Sequence, residues 1–150
     1  MLHRVSVFAV ASLVIIIPVA AHAQENADRT AIRNAALDYI EGWYTGDATR
    51  MERALHPELA KRIVRTNPSG GGSMLDQQSA MTLVQGTRTG YGKQTPEARR
   101  LKEVTILDIY ENAASVKIVA SDWIDYLHLA RWDGSWRIVN VLWELKPQTK

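Results

Sequence analysis

The sequence predicts an α+β domain in which helices come first and antiparallel strands follow. Three observations predict it. Ile32, Ala36, Tyr39, Ile40 and Trp43 form one apolar stripe at helical spacing. From about Leu101 the apolar period changes to two. Asp133-Gly134, the favoured dipeptide of a two-residue hairpin, stands between the last two strand-like runs. The chain of 150 residues is long enough for one ordinary domain. With 46% hydrophobic and 23% charged residues, it has the composition of a folded protein.

The N-terminus reads as an address. Arg4 precedes an uninterrupted run of apolar and small residues at 5–17, and Ala21-His22-Ala23 has the small-x-small pattern of a cleavage site. A secretory leader over 1–23 and a folded domain over 24–150 are expected, with a periplasmic or secreted location. The apolar run falls short of the roughly 20 residues of a membrane span, so no stable anchor is expected after cleavage. No cysteine is present, which excludes disulfide scaffolds, cysteine zinc sites, thiol catalysis and lipid anchoring on cysteine. The pI near 9.0 rests on a formal charge of only +2. The arginines are scattered, so no nucleic-acid partner is expected.

The first helix is expected over about 28–45, capped by Asn26 or Asp28 and ended by Gly46. A second, over 48–55, is capped by Asp47 or Thr49 and stopped by His56-Pro57. Residues 59–65 read as a short edge strand whose arginines and lysine discourage edge pairing. Residues 67–73, rich in glycine, are a loop. A third helix is expected over 74–85, and a turn-rich stretch over 86–97. Strands follow at about 101–109, 114–121, 124–132 and 135–144, with turns at Glu111-Asn112 and Asp133-Gly134. Consecutive hairpins make an antiparallel meander with the helices on one face.

Counting back from the Asp-Gly turn places Tyr126 and His128 on one face with Val141 and Trp143. It places Trp123, Asp125 and Leu127 on the other with Asn140 and Leu142. Both faces carry apolar residues, so the sheet is covered on both sides or encloses a pocket.

The segments Asp38-Tyr39-Ile40-Glu41-Gly42-Trp43-Tyr44-Thr45-Gly46-Asp47, Leu55-His56-Pro57-Glu58-Leu59 and Asp125-Tyr126-Leu127-His128-Leu129, with Asp133-Gly134-Ser135-Trp136-Arg137-Ile138-Val139-Asn140, resemble the nuclear transport factor 2-like superfamily. The likeness is to its branch labelled lumazine-binding, near the SnoaL-like polyketide cyclases. It spans nearly all of 24–150. It implies a cone: a bent antiparallel sheet of four to five strands closed by three N-terminal helices, with an inner pocket and a homodimer across the outer sheet face.

His128, Tyr126 and Asp125 are the candidate proton carriers, because an imidazole near neutrality or a buried carboxyl can move protons. Tyr39, Trp43, Trp123 and Trp143 are candidate pocket walls. Asn140 is a candidate partner for Asp125. His56 is placed at the pocket mouth or as a cation at the second helix's C-terminus. The residues 86–94 lack the spacing and the Ser/Thr of a phosphate loop. Neither a metal nor a cofactor is expected. The expected function is binding of a small apolar or aromatic ligand by an exported protein. The alternatives are an acid–base isomerase or cyclase and a dimeric interaction module.

Overall fold

The computed structural model describes residues 18–147. Residues 1–17, most of the expected leader, lie outside the described residues. Three α-helices and six strands follow, in the order α1 (Pro18–Thr45), α2 (Ala48–Ala54), β1 (Leu55–Thr66), β2 (Ser73–Ser79), α3 (Ala80–Arg88), β3 (Lys102–Tyr110), β4 (Ala113–Ala120), β5 (Trp123–Trp132) and β6 (Ser135–Leu145). Two short 3₁₀ turns, Tyr91–Gln94 and Glu97–Arg99, join α3 to β3.

Helix α1 buries the predicted stripe: Ile32, Ala36, Tyr39 and Ile40 are all inaccessible or nearly so. It starts earlier than the stripe does. His22 to Ala27 are helical and exposed. Gly46 ends the helix in the left-handed region at φ 74°, and the Asp47 N–H returns to the Gly42 carbonyl at 2.9 Å. Asp47 then caps α2 by accepting from the Arg50 N–H at 3.0 Å.

The six-stranded sheet runs β2-β1-β6-β5-β4-β3. All pairs are antiparallel except β1 with β6, which is parallel. Two expectations change here. The stretch 74–79, expected as helix, is strand β2, because the Gly70-Gly71-Gly72 turn brings it back against β1, where it is paired from Thr66–Ser73 to Ala60–Ser79. Helix α3 therefore begins only at Ala80, capped by the Ser79 hydroxyl. For the same reason β1 is an interior strand. Its Arg62 is held by the Gln77 and Asn140 side chains, and its Lys61 turns inward.

The inner face of the sheet is apolar. Val116, Ile118, Leu127, Leu129, Ile138 and Val141 are almost fully buried against α1. Each such side chain stabilises the fold by about 1.5–3 kcal/mol relative to exposure. The Asp133-Gly134 turn forms as expected, with φ 47° and 75°. The register beyond it does not follow simple counting. His128 pairs with Asn140 while Leu129 pairs with Ile138, so Val139 is an extra residue, a bulge in β6. One inserted residue reverses every later side chain. Trp143 and Val141 thus face inward with Asp125 and Leu127, and Asn140 and Leu142 face outward with His128 and Tyr126.

Polar ties hold the layers in register. The Tyr44 hydroxyl, at the end of α1, donates to the Leu101 carbonyl at 3.0 Å and accepts from the Ser121 N–H at 3.0 Å. Arg50 of α2 bridges Asp38 at 2.9 Å and Glu41 at 2.6 Å on α1, and Arg53 meets Asp38 at 2.7 Å. Lys102 of β3 reaches Glu41 from the other side. Partial burial pushes the Asp38 carboxyl up, but Arg53 and Arg50 together bring it below its ordinary value. Glu41 is lowered too, chiefly by the hydrogen bond from Lys102.

A depressed carboxyl binds fewer protons folded than unfolded, so its stabilisation is complete above the unfolded pKa and is lost as pH falls through the folded one. Urea midpoints are therefore expected to stay level above about pH 5 and to fall below it. Asp38→Asn is expected to flatten that fall and to cost about 1 kcal/mol at neutral pH. An unchanged acid limb in that variant contradicts the assignment.

Candidate ligand-binding pocket

A cavity of about 240 Å³ lies between α1, α3 and the open end of the inner sheet face. Tyr39, Ile40 and Trp43 line it from α1, Leu83 from α3, and Lys61, Gln78, Trp123, Trp143 and Leu145 from the sheet. The local sequence explains each placement. Tyr39 and Trp43 are four apart on one helical face. Trp123 and Asp125 are two apart on the inner face of β5, and Asp125 lies directly opposite Trp143 of β6. Lys61 pairs in register with Gln78 of β2 on one side and Val141 of β6 on the other.

A buried ion pair lies among these residues. Asp125 is wholly inaccessible and Lys61 is only 6% exposed. Lys61 Nζ donates to Asp125 Oδ1 at 2.8 Å and to the Tyr39 hydroxyl at 2.6 Å. The second carboxylate oxygen accepts from the Trp123 indole N–H at 2.6 Å. Both oxygens of Asp125 are thereby satisfied. An isolated carboxylate in such surroundings costs several kcal/mol, and only a close, well-bonded partner offsets this. Three rings surround the ammonium, with centroids at 4.7 Å (Trp143), 5.3 Å (Tyr39) and 5.9 Å (Trp123). They add cation–π attraction where water is scarce. Burial, reinforced by the neighbouring Asp125 carboxylate, holds the Tyr39 phenol well above its ordinary pKa, so it stays protonated.

Trp43 is set from behind. Gly92, in the first 3₁₀ turn, lies so close to the Trp43 backbone that a Cβ there would come within 2.1 Å of the Trp43 carbonyl oxygen. The turn-rich stretch therefore packs on the end of α1 through a position only glycine fits.

The four aromatic residues expected as walls, Tyr39, Trp43, Trp123 and Trp143, all line this cavity. Asp125 lies behind the lining, bonded to Lys61 and Trp123, and does not pair with Asn140. Asn140 does not line the cavity. The β6 bulge turns it to the outer face, where its side chain meets His128 Nδ1 at 3.3 Å and Arg62 at 2.9 Å. Tyr126 and His128 are on that outer face as well, away from the pocket and from Trp143. His56 does not line the pocket, nor does it cap α2. It belongs to β1, stacks edge-on against Trp132 with centroids 4.8 Å apart, and its Nδ1 accepts from the Glu58 N–H. Sequence reasoning missed Lys61 and Gln78. The available signal was the alternation in Leu59, Lys61 and Ile63, which puts the lysine on the buried face of its strand. Among the described residues no three His, Asp or Glu side chains form a group able to hold a metal ion.

Removing one partner of the buried pair strands the other. Lys61→Met and Asp125→Leu are each expected to lose about 3–5 kcal/mol in urea unfolding, and the double variant to lie closer to the native protein than either. Single variants within about 0.5 kcal/mol of the native protein contradict a structural role for the pair.

Residues 27–144 match the model of the family described as "Putative lumazine-binding". No curated protein matches the chain. Solved structures do. A nuclear transport factor 2-like protein of unknown function from Silicibacter pomeroyi is 16% identical, covering 81% of this chain and 98% of its own, with a TM-score of 0.62. One from Shewanella baltica is 22% identical, covering 82% and 97%, at 0.61. One with a cystatin-like fold from Novosphingobium aromaticivorans is 14% identical, covering 92% and 94%, at 0.65. These likenesses establish the fold alone. With the inward-facing helical stripe, the bent six-stranded sheet and the match over 27–144, the chain belongs to the family described as "Putative lumazine-binding" and has the fold of nuclear transport factor 2-like proteins.

Proposed function

We propose that the chain is an exported binding protein that holds a small planar apolar or aromatic molecule between α1 and the inner face of the sheet. The observation that carries this reading is the aromatic cavity itself. Three tryptophans and a tyrosine wall a space of about 240 Å³ beside a buried ion pair whose carboxylate oxygens are both hydrogen-bonded. Pockets for drug-sized ligands run from about 300 Å³ upward, so this one suits a ligand of one or two rings. The family's description, which names a small heteroaromatic molecule, supports the same class. Acid–base isomerisation has less to work with. His128 and Tyr126 are across the sheet from the cavity, and both oxygens of Asp125 are taken.

Export is supported by the leader pattern and by the exposure of His22 and Ala23, since cleavage after Ala23 removes no described buried side chain. Among the described residues no helix is long and apolar enough to cross a membrane. N-terminal sequencing of the protein recovered from outside the cytoplasm is expected to begin at Gln24; a chain beginning at Met1 contradicts export. For binding, titration with one- and two-ring aromatics, lumazine among them, is expected to quench tryptophan fluorescence saturably. Trp143→Ala is expected to weaken that binding about tenfold, the loss of one stacked ring. Absence of saturable quenching across the panel contradicts the reading.

A second reading concerns the outer sheet face, which shows Val64, Leu75, Tyr126 and Leu142 each at least 43% exposed. Grouped apolar exposure of this kind marks an interaction surface. We propose a homodimer through it. Light scattering is expected to give twice the monomer mass for the native protein and the monomer mass for Leu142→Glu. A native monomer at about 50 μM, a concentration that saturates ordinary stable interfaces, contradicts it.

A further inference from the structure

We infer that the molecule this pocket takes is uncharged and presents a ring carbonyl to the Lys61 ammonium. The inference rests on the pocket reading above and goes on to the ligand's charge and polar edge.

Charge is the first argument. Lys61 lines the cavity and its anion, Asp125, lies buried behind the lining, 2.8 Å from the ammonium. An anionic ligand would bring a second negative charge beside Asp125 with no further buried cation to answer it. A cationic ligand would sit against Lys61. Either leaves an uncompensated charge in an apolar enclosure, which is costly. A neutral ligand leaves the balance intact.

Hydrogen bonding is the second. An ammonium has three N–H donors. Lys61 gives one to Asp125 Oδ1 and one to the Tyr39 oxygen, and no third oxygen or nitrogen partner exists for it among the described residues. Beyond these two bonds it meets aromatic rings, the nearest being Trp143 at 4.7 Å. A carbonyl oxygen is a better acceptor than a ring face, and a bond from a charged donor is among the stronger ones. Gln78 supports the same ligand edge. It is the register partner of Lys61, lines the cavity, and its carboxamide has no hydrogen-bond partner among the described residues. It can serve a ring N–H or a second carbonyl beside the first. The tryptophan walls demand that the rest be flat and apolar.

Three bicyclic probes separate the possibilities: 2-quinolone, which is neutral with a ring carbonyl; naphthalene, which has no acceptor; and 2-naphthoate, which is anionic. Titrated into the full chain, 2-quinolone is expected to bind at least about tenfold tighter than the other two, the scale of one charge-assisted bond. Gln78→Leu, at a strand edge where folding tolerates change, is expected to weaken 2-quinolone about threefold without weakening naphthalene. The paired variant Lys61→Met/Asp125→Leu is expected to erase the gap between 2-quinolone and naphthalene. Equal binding of 2-quinolone and naphthalene to the native chain removes the carbonyl contact but leaves a planar-ligand pocket standing. Tighter binding of 2-naphthoate overturns the neutrality argument in the same way. If none of the three binds, the pocket reading falls and this inference with it.

Discussion

Asp125 has no contact with solvent, and a carboxylate in that position needs its charge answered on the spot. Lys61 answers it from two strands away, across β6. That single requirement constrains much of the molecule. Strand β1 must lie beside β6 with its lysine inward, and β2 must cover the outer edge of β1. Trp123 must be in register to donate to the second oxygen, and α1 must bring the Tyr39 hydroxyl to within 2.6 Å of the ammonium. Helix and sheet are thereby tied through one polar cluster inside an otherwise apolar core. The surface network of Arg50, Arg53, Asp38 and Glu41 fixes α2 to α1 but is partly solvated, and is the weaker constraint.

The β6 bulge at Val139 decides which face does what. With it, Trp143 joins Trp123 and Tyr39 around Lys61, and the inner face becomes an aromatic enclosure. Asn140, His128 and Arg62 form a separate polar network on the outside, amid exposed Val64, Leu75, Tyr126 and Leu142. The sheet thus offers a pocket on one side and an exposed apolar surface on the other. A ligand reading and a partner reading attach to different residues and do not compete.

Much of this was legible from residue order. The stripe from Ile32 to Trp43 found α1, the Asp133-Gly134 turn found the closing hairpin, and the four aromatic residues singled out lie around one cavity. What was not legible has physical reasons. A bulge leaves no mark in a run such as Ile138-Val139-Asn140-Val141, where every residue is compatible with a strand, yet it reverses the faces of all that follows. Met74–Gln78 has no strong local preference and becomes strand through pairing with β1, which local sequence does not show. Lys61 alternates with the buried Leu59 and Ile63, but what could answer a buried lysine charge is not visible until its neighbours on β2 and β6 are known. Only then is the aspartate it pairs with, 64 positions away, brought within reach.

The most direct test of the central claim is the side-chain nitrogen spectrum of lysine-labelled protein. A buried ammonium bonded to Asp125 and Tyr39 is expected to give one signal at neutral pH that exchanges slowly with water and is displaced by the surrounding rings. That signal should vanish in Lys61→Met/Asp125→Leu. If every lysine ammonium exchanges with solvent alike, the ion pair does not exist as described, and the account of both pocket and fold is contradicted.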